Sequence, residues 1–528
     1  MENERILYEN IPKEKFEFVA RDGSMHDKKF ETKPVGYFRD AFRRFKKNKG
    51  SVVAAIIIGL LVLYAIIGPF CVNGNYQNIT ATDQYQKYYY HLTPRLSVFD
   101  GSGFWDGTQK KEISSGLYGR YEAMAEETGY NPVTKYISSR TTTDLFGNTS
   151  TLYKVRINSY YSVLPIETQI TYEEYINIQK WQDEHGKQVI LPYTKNKVSR
   201  TLTDVWYRTD AKGRTGANVK DPDDNDTLDA EGNRIPDYYT TGEDNYVSEM
   251  RLANDPYNNG DTEGRWRYAD PGSVASGNYN VRLNAYTFFE YQYGFKPSFA
   301  FGTDSRGFDI FSRLAKGARF SFLLAICISL INLTIGAIYG AIEGYYGGAI
   351  DLVMERISDI LNGVPFIVVT VLFQLHLASK VGVVGSLIYA FILTGWIGMA
   401  SRTRMQFYRF KNQEYVLAAR TLGARDARIM FKHIFPNSLG TLITGSVLVI
   451  PGVIFSETSL SYLGVVNLDS ATRSSIGSML TAGQSVMTSA PHVVLFPAIF
   501  IALLMICFNL FGNGLRDAFN PSLRGSED

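Results

Sequence analysis

Cysteine is scarce in this sequence: Cys71, Cys327 and Cys507 are the only three in 528 residues, far apart, each in or beside an apolar run. That spacing excludes a cysteine metal framework and leaves no convincing disulfide pair. Six histidines stand at unrelated places and carry no zinc signature. No G-x-x-x-x-G-K-S/T run occurs, so the chain lacks a phosphate-cradling loop of that kind and must borrow any nucleotide energy. No Ser/His/Asp set has a recognisable local context, and the sequence gives no basis for an enzyme. Charge of one sign is also lacking. The net value of +2 does not point to nucleic acid, and its distribution matters more than its sum.

What is present is uneven hydropathy. A mean hydropathy of −0.12 and 45 % hydrophobic residues would suit a soluble protein, yet the apolar residues crowd near the N-terminus and after residue 318. Residues 1–50 form a polar N-terminal tail ending in a basic cluster, Arg43 to Lys49. Ser51 to Pro69 then carries no charge, about 28 Å as a helix, enough for a hydrocarbon core. A signal peptide is excluded by position and by the missing small-residue cleavage site after Phe70. Further spans are expected at 319–341, 352–377, 383–400, 439–460 and 493–511.

Six helices beginning inside return the C-terminal tail, 517–528, to the inside. The segment 401–438 then also falls inside, with eight Lys/Arg against Glu414 and Asp426, as the positive-inside rule requires. The expected organisation is a first transmembrane helix at 51–71 and an extracytoplasmic domain at 72–300, followed by an interfacial amphipathic helix at 301–318 and a five-helix core at 319–516. In class terms this is an α-helical polytopic membrane protein with an α+β extracytoplasmic domain between helices 1 and 2. Alternating stretches such as Tyr153 to Tyr160 read as strands and Glu173 to His185 reads as a helix. The aromatic content is too high for disorder.

Three segments could carry function. From Glu414, a helix is expected through about Leu422, with a break at Gly423. A second helix follows from Asp426 to His433 and is stopped by Pro436. Such an elbow has few side chains at its bend, so a partner's backbone can come close. A second run, Phe301 to Ser321, holds Gly302, Thr303, Asp304, Asp309, Arg313 and Arg319. In a third, Asp351, Glu355, Arg356 and Asp359 share helical spacing and can pair across a turn. Asn332, Gln374 and His376 are intramembrane polar residues that could face a lumen, pack between helices or lie at the interface. A weaker candidate is the acidic turn from Asp221 to Asp229, where Asp221, Asp223 and Asn225 resemble the start of a calcium loop. Asp226 occupies the place of its glycine and Gly232 that of its closing glutamate, so a solvated acidic turn is the simpler reading.

The elbow resembles the EAA loop of ABC importer permeases, with Ala418, Ala419, Gly423 and Pro436 at the family's spacing. His433 to Asn437 is similar to its oligopeptide/dipeptide branch. The Phe301–Ser321 run, Gly344 to Asp351, Ser459 to Gly464, Ser475 to Met479 and Asn509 to Asp517 resemble further motifs of that branch, in the same order. The resemblance covers 36–71 and 298–524, not 72–297. It implies a type I permease fold in a bacterial plasma (inner) membrane and import of oligopeptides or dipeptides. Nickel or glycoside transport is the alternative within the family, and a membrane-anchored receptor or adhesion protein the rival outside it. It implies a second homologous permease, two cytoplasmic ATPase subunits holding ATP and Mg, and an extracellular peptide-binding protein, with no cofactor on this chain. Glu414, Ala418, Ala419, Arg420, Gly423, His433 and Pro436 would couple to the ATPase. Gly302, Thr303, Asp304, Asp309, Arg313 and Arg319 would organise the outer gate. Two departures stand out. Leu417 occupies the place of the family's first glutamate, and Phe308 that of an arginine.

Overall fold

The computed structural model describes residues 37–71, 85–143, 149–191, 193–196, 247–251, 278–469 and 474–519. An amphipathic helix, α1 (Tyr37–Lys47), leads into α2 (Lys49–Ile67), which Asn48 caps by accepting a hydrogen bond from the Ser51 N–H. Between α2 and the remaining apolar helices lies a strand region. Its first antiparallel sheet has the order β1 (Thr108–Ser114), β3 (Thr149–Asn158), β2 (Val133–Thr143), with α3 (Ser115–Thr128) packed on it. A second sheet sets β4 (Ile166–Thr171) and β5 (Ile190–Leu191) on either side of β8 (Asn278–Leu283). Helices α4 (Tyr172–His185) and α5 (Ala285–Tyr293) flank it, and β6 (Tyr193–Asn196) pairs with β7 (Val247–Arg251). Its core is aromatic, built around Tyr89, Tyr160, Tyr175, Phe288 and Phe289.

The apolar helices follow. They are α6 (Ile310–Tyr346), α7 (Gly348–Asn362), α8 (Phe366–His376), α9 (Ala378–Gly395) and α10 (Ile397–Phe410), then α11 (Glu414–Thr421), α12 (Phe435–Tyr462), α13 (Ile476–Gln484) and α14 (His492–Phe519). Among the described residues, five helices can cross a membrane by length and composition: Lys49–Phe70, Ile310–Tyr346, Ala378–Phe410, Asp426–Tyr462 and His492–Phe519. A sixth candidate is the pair α7 and α8, bent by 73°. The break falls at Gly363-Val364-Pro365, where proline keeps its predecessor out of the helical region. The continuous third span expected at 352–377 is therefore a bent one.

The expected interfacial helix at 301–318 is not a separate element. Residues 310–346 form one helix of 37 residues, capped by Asp309, and 301–309 are a turn-rich loop. Of the charges that suggested an interfacial helix there, Asp304, Asp309 and Arg313 are buried, Lys316 is half-buried, and Arg306 and Arg319 are exposed.

Pro436 does not stop its helix either. The helix runs unbroken from Asp426 to Tyr462 because Ile429–Ile434 takes the wider π geometry just before the proline. A proline clashes with the carbonyl four residues back, and a widened turn relieves that clash. Pro451 lies further along inside α12, and Pro497 inside α14.

The closest helix pairing is that of α6 with α10. Gly336, Gly340 and Gly344, four residues apart, line the contact. A Cβ at Gly336 would fall 2.7 Å from the Trp396 carbonyl, and one at Gly344 2.7 Å from that of Arg404; one at Gly340 would run into the Ala400 carbonyl. Stripes of small residues bring helices together where lipid offers no hydrophobic drive. Gly340→Val is expected to lower the stability of the chain by about 1–3 kcal/mol, read as a lower midpoint of thermal unfolding in detergent. A substitution to Ala at exposed Gly398 of α10, which has open space around it, should not lower that midpoint, since alanine is the better helix former.

Candidate functional site

Two clusters of paired charge sit at opposite ends of α6, and the elbow lies beside one of them. At the Tyr346 end, α7 starts at once, and the close approach of α10 delivers Arg404 to its first turns. Its guanidinium makes 2.6 and 2.8 Å bonds to the Asp351 carboxylate and reaches Glu355 at 2.8 Å. Glu343 of α6 stands 3.7 Å away. Tyr408 donates to Asp351 at 2.5 Å, and Lys411 Nζ donates to the Gly344 carbonyl at 2.9 Å. Of the four residues expected to pair along one helix, only Arg356 and Asp359 do, at 2.9 Å. Asp351 and Glu355 turn instead to a partner about fifty positions away.

The elbow is built on that platform. Val416, Ile429 and Ile434 are buried with Ala341, Tyr345 and Phe407 in one apolar cluster. Tyr345 donates to Asp426 at 2.6 Å, and the Arg420 guanidinium lies 5.8 Å from the Tyr345 ring. Gly423 makes the turn at φ +78°, with nothing within 4 Å of where a Cβ would stand. Outward face Leu417, Leu422 and Phe431, with Leu422 88 % exposed. Glu414, Ala418, Arg420 and Pro436 are exposed, and Ala419 and His433 half-buried. The seven residues named for this role thus share one projecting feature, with apolar side chains at its tip. Leu417 belongs to that tip.

At the other end of α6, Arg313 is 8 % exposed and bonds Asp304, both Asp469 oxygens (2.8 and 2.7 Å) and Ser474 Oγ (3.0 Å). Arg306 also pairs with Asp469. Phe308 places its ring 5.1 Å from the Arg313 guanidinium, so the position of the family's arginine contributes a cation–π contact. Thr303 donates to the Tyr89 carbonyl at 2.6 Å and accepts from the Leu92 N–H at 2.8 Å, tying the strand region to this loop. Gly302, at φ +76°, lies under the Leu92 carbonyl, where no Cβ would fit.

Asp309 accepts from the Ser312 and Phe311 N–H groups at 2.8 and 3.3 Å. Burial pushes its carboxyl up to about 7 against those two bonds, and the neighbouring Asp304 charge adds to the rise. Arg319 is exposed and joins none of these contacts. Asp469 and Ser474, which complete the cluster, carried no sequence signal. The calcium candidate Asp221, Asp223 and Asn225 lies outside the described residues. Asn332 is buried against Gly395, Gln374 donates to the Val383 carbonyl at 3.1 Å, and His376 is exposed at the end of α8.

Residues 332–525 match the family described as binding-protein-dependent transport system inner membrane component, and 36–94 match the N-terminal TM domain of oligopeptide transport permease C. The oligopeptide transport system permease protein OppC of Bacillus subtilis (strain 168) is 43 % identical over 224 residues, 42 % of this chain and 72 % of that protein. The dipeptide transport system permease protein DppC of the same organism is 41 % identical over 225 residues, 42 % of this chain and 69 % of its own length. The glutathione transport system permease protein GsiD of Pectobacterium atrosepticum is 34 % identical over 249 residues, covering 47 % and 81 %.

Arg313→Gln leaves Asp304 and Asp469 short of their shared cation in a buried site, a loss of about 3–5 kcal/mol, seen as failure to accumulate in membranes. Asp309 sets a pH test. A carboxyl whose folded pKa is raised adds stability below its unfolded value, about 4, and that contribution is lost as pH rises through about 7. Asp309→Asn still caps the helix but cannot ionise. Its melting temperature relative to the parent should therefore rise between pH 5 and pH 8.

Proposed function

The chain belongs to the family of binding-protein-dependent transport permeases, and on that premise we propose that it imports oligopeptides or dipeptides, coupling through the Gly423 elbow to a separate ATPase. It is a non-catalytic membrane subunit of an ABC transporter. The observation that carries the coupling reading is the elbow itself: an anchored base and an exposed apolar tip at Leu417, Leu422 and Phe431. A tip of that kind left in water costs free energy, and a groove in a partner would recover it. Glu414, Ala418, Ala419, Arg420, Gly423, His433 and Pro436 surround the contact, with the glycine and alanines allowing close approach.

The remaining assignments follow from this one. With α7 and α8 counted as one bent span, six spans put both termini on the elbow's side, the cytoplasmic side, and the strand region outside. The Asp304–Arg313–Asp469 cluster then lies at the outer end of the path, tying the mouth of the permease to the strand region. A second permease would complete the path, two ATPases would sit beneath the elbows, and an extracellular binding protein would deliver peptide. The named relatives transport oligopeptides, dipeptides or glutathione, and those names support a peptide cargo. ATP and Mg would be held by the ATPase subunits.

Leu422→Asp and Gly423→Asp are expected to lower uptake of labelled peptides at least about tenfold while membrane levels stay at those of the parent, since a buried apolar contact is replaced by a desolvated charge. Co-purification of the ATPase on the tagged chain should fall with it. Undiminished uptake in both variants would remove the elbow from coupling. Uptake of nickel or a glycoside, with none of any peptide, would keep the permease and change its cargo.

A further inference from the structure

At the elbow end of the bundle, α10, α12 and α14 leave a cavity of about 310 Å³. Its polar lining is Arg402 and Arg409 from α10, Thr441 and Thr444 from α12, Arg516 from α14, and Gln406 between the first two. No carboxylate lines it. In the same bundle Arg404 is neutralised by Asp351 and Glu355, and Arg313 by Asp304 and Asp469. These three make no ion pair among the described residues. Arg402 donates to the Gly445 carbonyl at 3.3 Å, and Arg409 lies over the Phe410 ring at 5.5 Å.

Three guanidinium groups drawn from two helices repel one another unless an anion sits between them. Planar arginine forks match phosphate oxygens, and Thr441 and Gln406 add donors at the same wall, the Thr444 hydroxyl being committed to the Gly440 carbonyl. Leu448 and Phe519 supply an apolar edge. The pocket lies where the spans Ala378–Phe410 and His492–Phe519 both end, the depth at which lipid headgroups lie. We propose that this pocket binds a phosphate group, presented by an anionic phospholipid whose chains run along the Leu448 side.

The test is native mass spectrometry of the full-length chain in detergent, after exchange of endogenous lipid. The probes are dioleoyl-phosphatidylglycerol, dioleoylglycerol with the same chains and no phosphate, and inorganic phosphate. The parent should retain phosphatidylglycerol and not dioleoylglycerol. The triple variant R402Q/R409Q/R516Q should hold it on the order of a hundredfold more weakly, near fivefold per charge. R402K/R409K/R516K, which preserves charge and reports on folding, should retain most of the binding. R425Q/R428Q/K432Q, removing as many cations from the elbow, should bind as the parent does.

If inorganic phosphate alone binds the parent and displaces the lipid, the site stands with free phosphate as its source. Phosphate without effect, with lipid bound, assigns the headgroup. Equal retention of the two dioleoyl probes, or equal weakening by the elbow variant, overturns the proposal. So does loss of a co-purifying second permease in R402Q/R409Q/R516Q with lipid binding unaltered, since the pocket would then be an assembly surface.

Discussion

The contact of α6 with α10 through Gly336, Gly340 and Gly344 is the constraint on which the elbow end of the bundle depends. Because no Cβ intervenes, the two backbones approach until the carbonyls of Trp396, Ala400 and Arg404 lie against the glycines. That approach carries Arg404 over the start of α7, where Asp351 and Glu355 meet it, and brings Phe407 into the cluster that anchors Val416, Ile429 and Ile434. A larger residue at Gly340 would therefore disturb more than one helix pair. It would move the arginine off its carboxylates and loosen the base of the elbow together.

Each end of α6 handles its charge differently. At the elbow end, one guanidinium meets three carboxylates, and Tyr408 adds a hydroxyl donor. At the other end, Arg306 and Arg313 balance Asp304 and Asp469, and Asp309 takes its hydrogen bonds from backbone donors, with Lys316 as a weaker electrostatic partner. A buried group with only a weak counter-charge, here Lys316, is costly to ionise, which is why the pH dependence predicted at this cluster belongs to Asp309 rather than to its paired neighbours. Both clusters join segments distant in sequence. Asp469 lies 156 positions from Arg313.

That separation explains what the sequence could and could not disclose. Uncharged runs such as Ser51 to Pro69 announce a spanning helix because the bilayer admits few alternatives. The Gly423 turn was legible because a glycine between two helical stretches has a local meaning. The partner of Arg313 was not, since no spacing rule joins α6 to a loop before α13. Arg306, Arg313, Lys316 and Arg319 suggested an interfacial helix, whereas α6 runs on through the last three, with Arg313 buried and paired. Pro436 read as a stop because the rule for proline assumes regular α geometry on either side, and the π turn at Ile429–Ile434 suspends that assumption. The glycine stripe was present in plain spacing, but four-residue glycine repeats acquire meaning only when a second helix is known to lie against them.

The unbroken run from Asp426 to Tyr462 has a mechanical consequence. Thirty-seven residues make a rod about 55 Å long, so a tilt of about 5° about one end displaces the other by roughly 5 Å. A helix that stopped at Pro436 would have absorbed such a tilt in a loop. This one passes it along its whole length, past the α6 seam to the far end where Glu457 and Thr458 pack beside α13. Its ladder of backbone bonds lacks a rung at two places, Pro436 beside the π turn and Pro451 further along. The rod is stiff between those two prolines, an arm with an elbow near one end and its wrist set two-thirds of the way along.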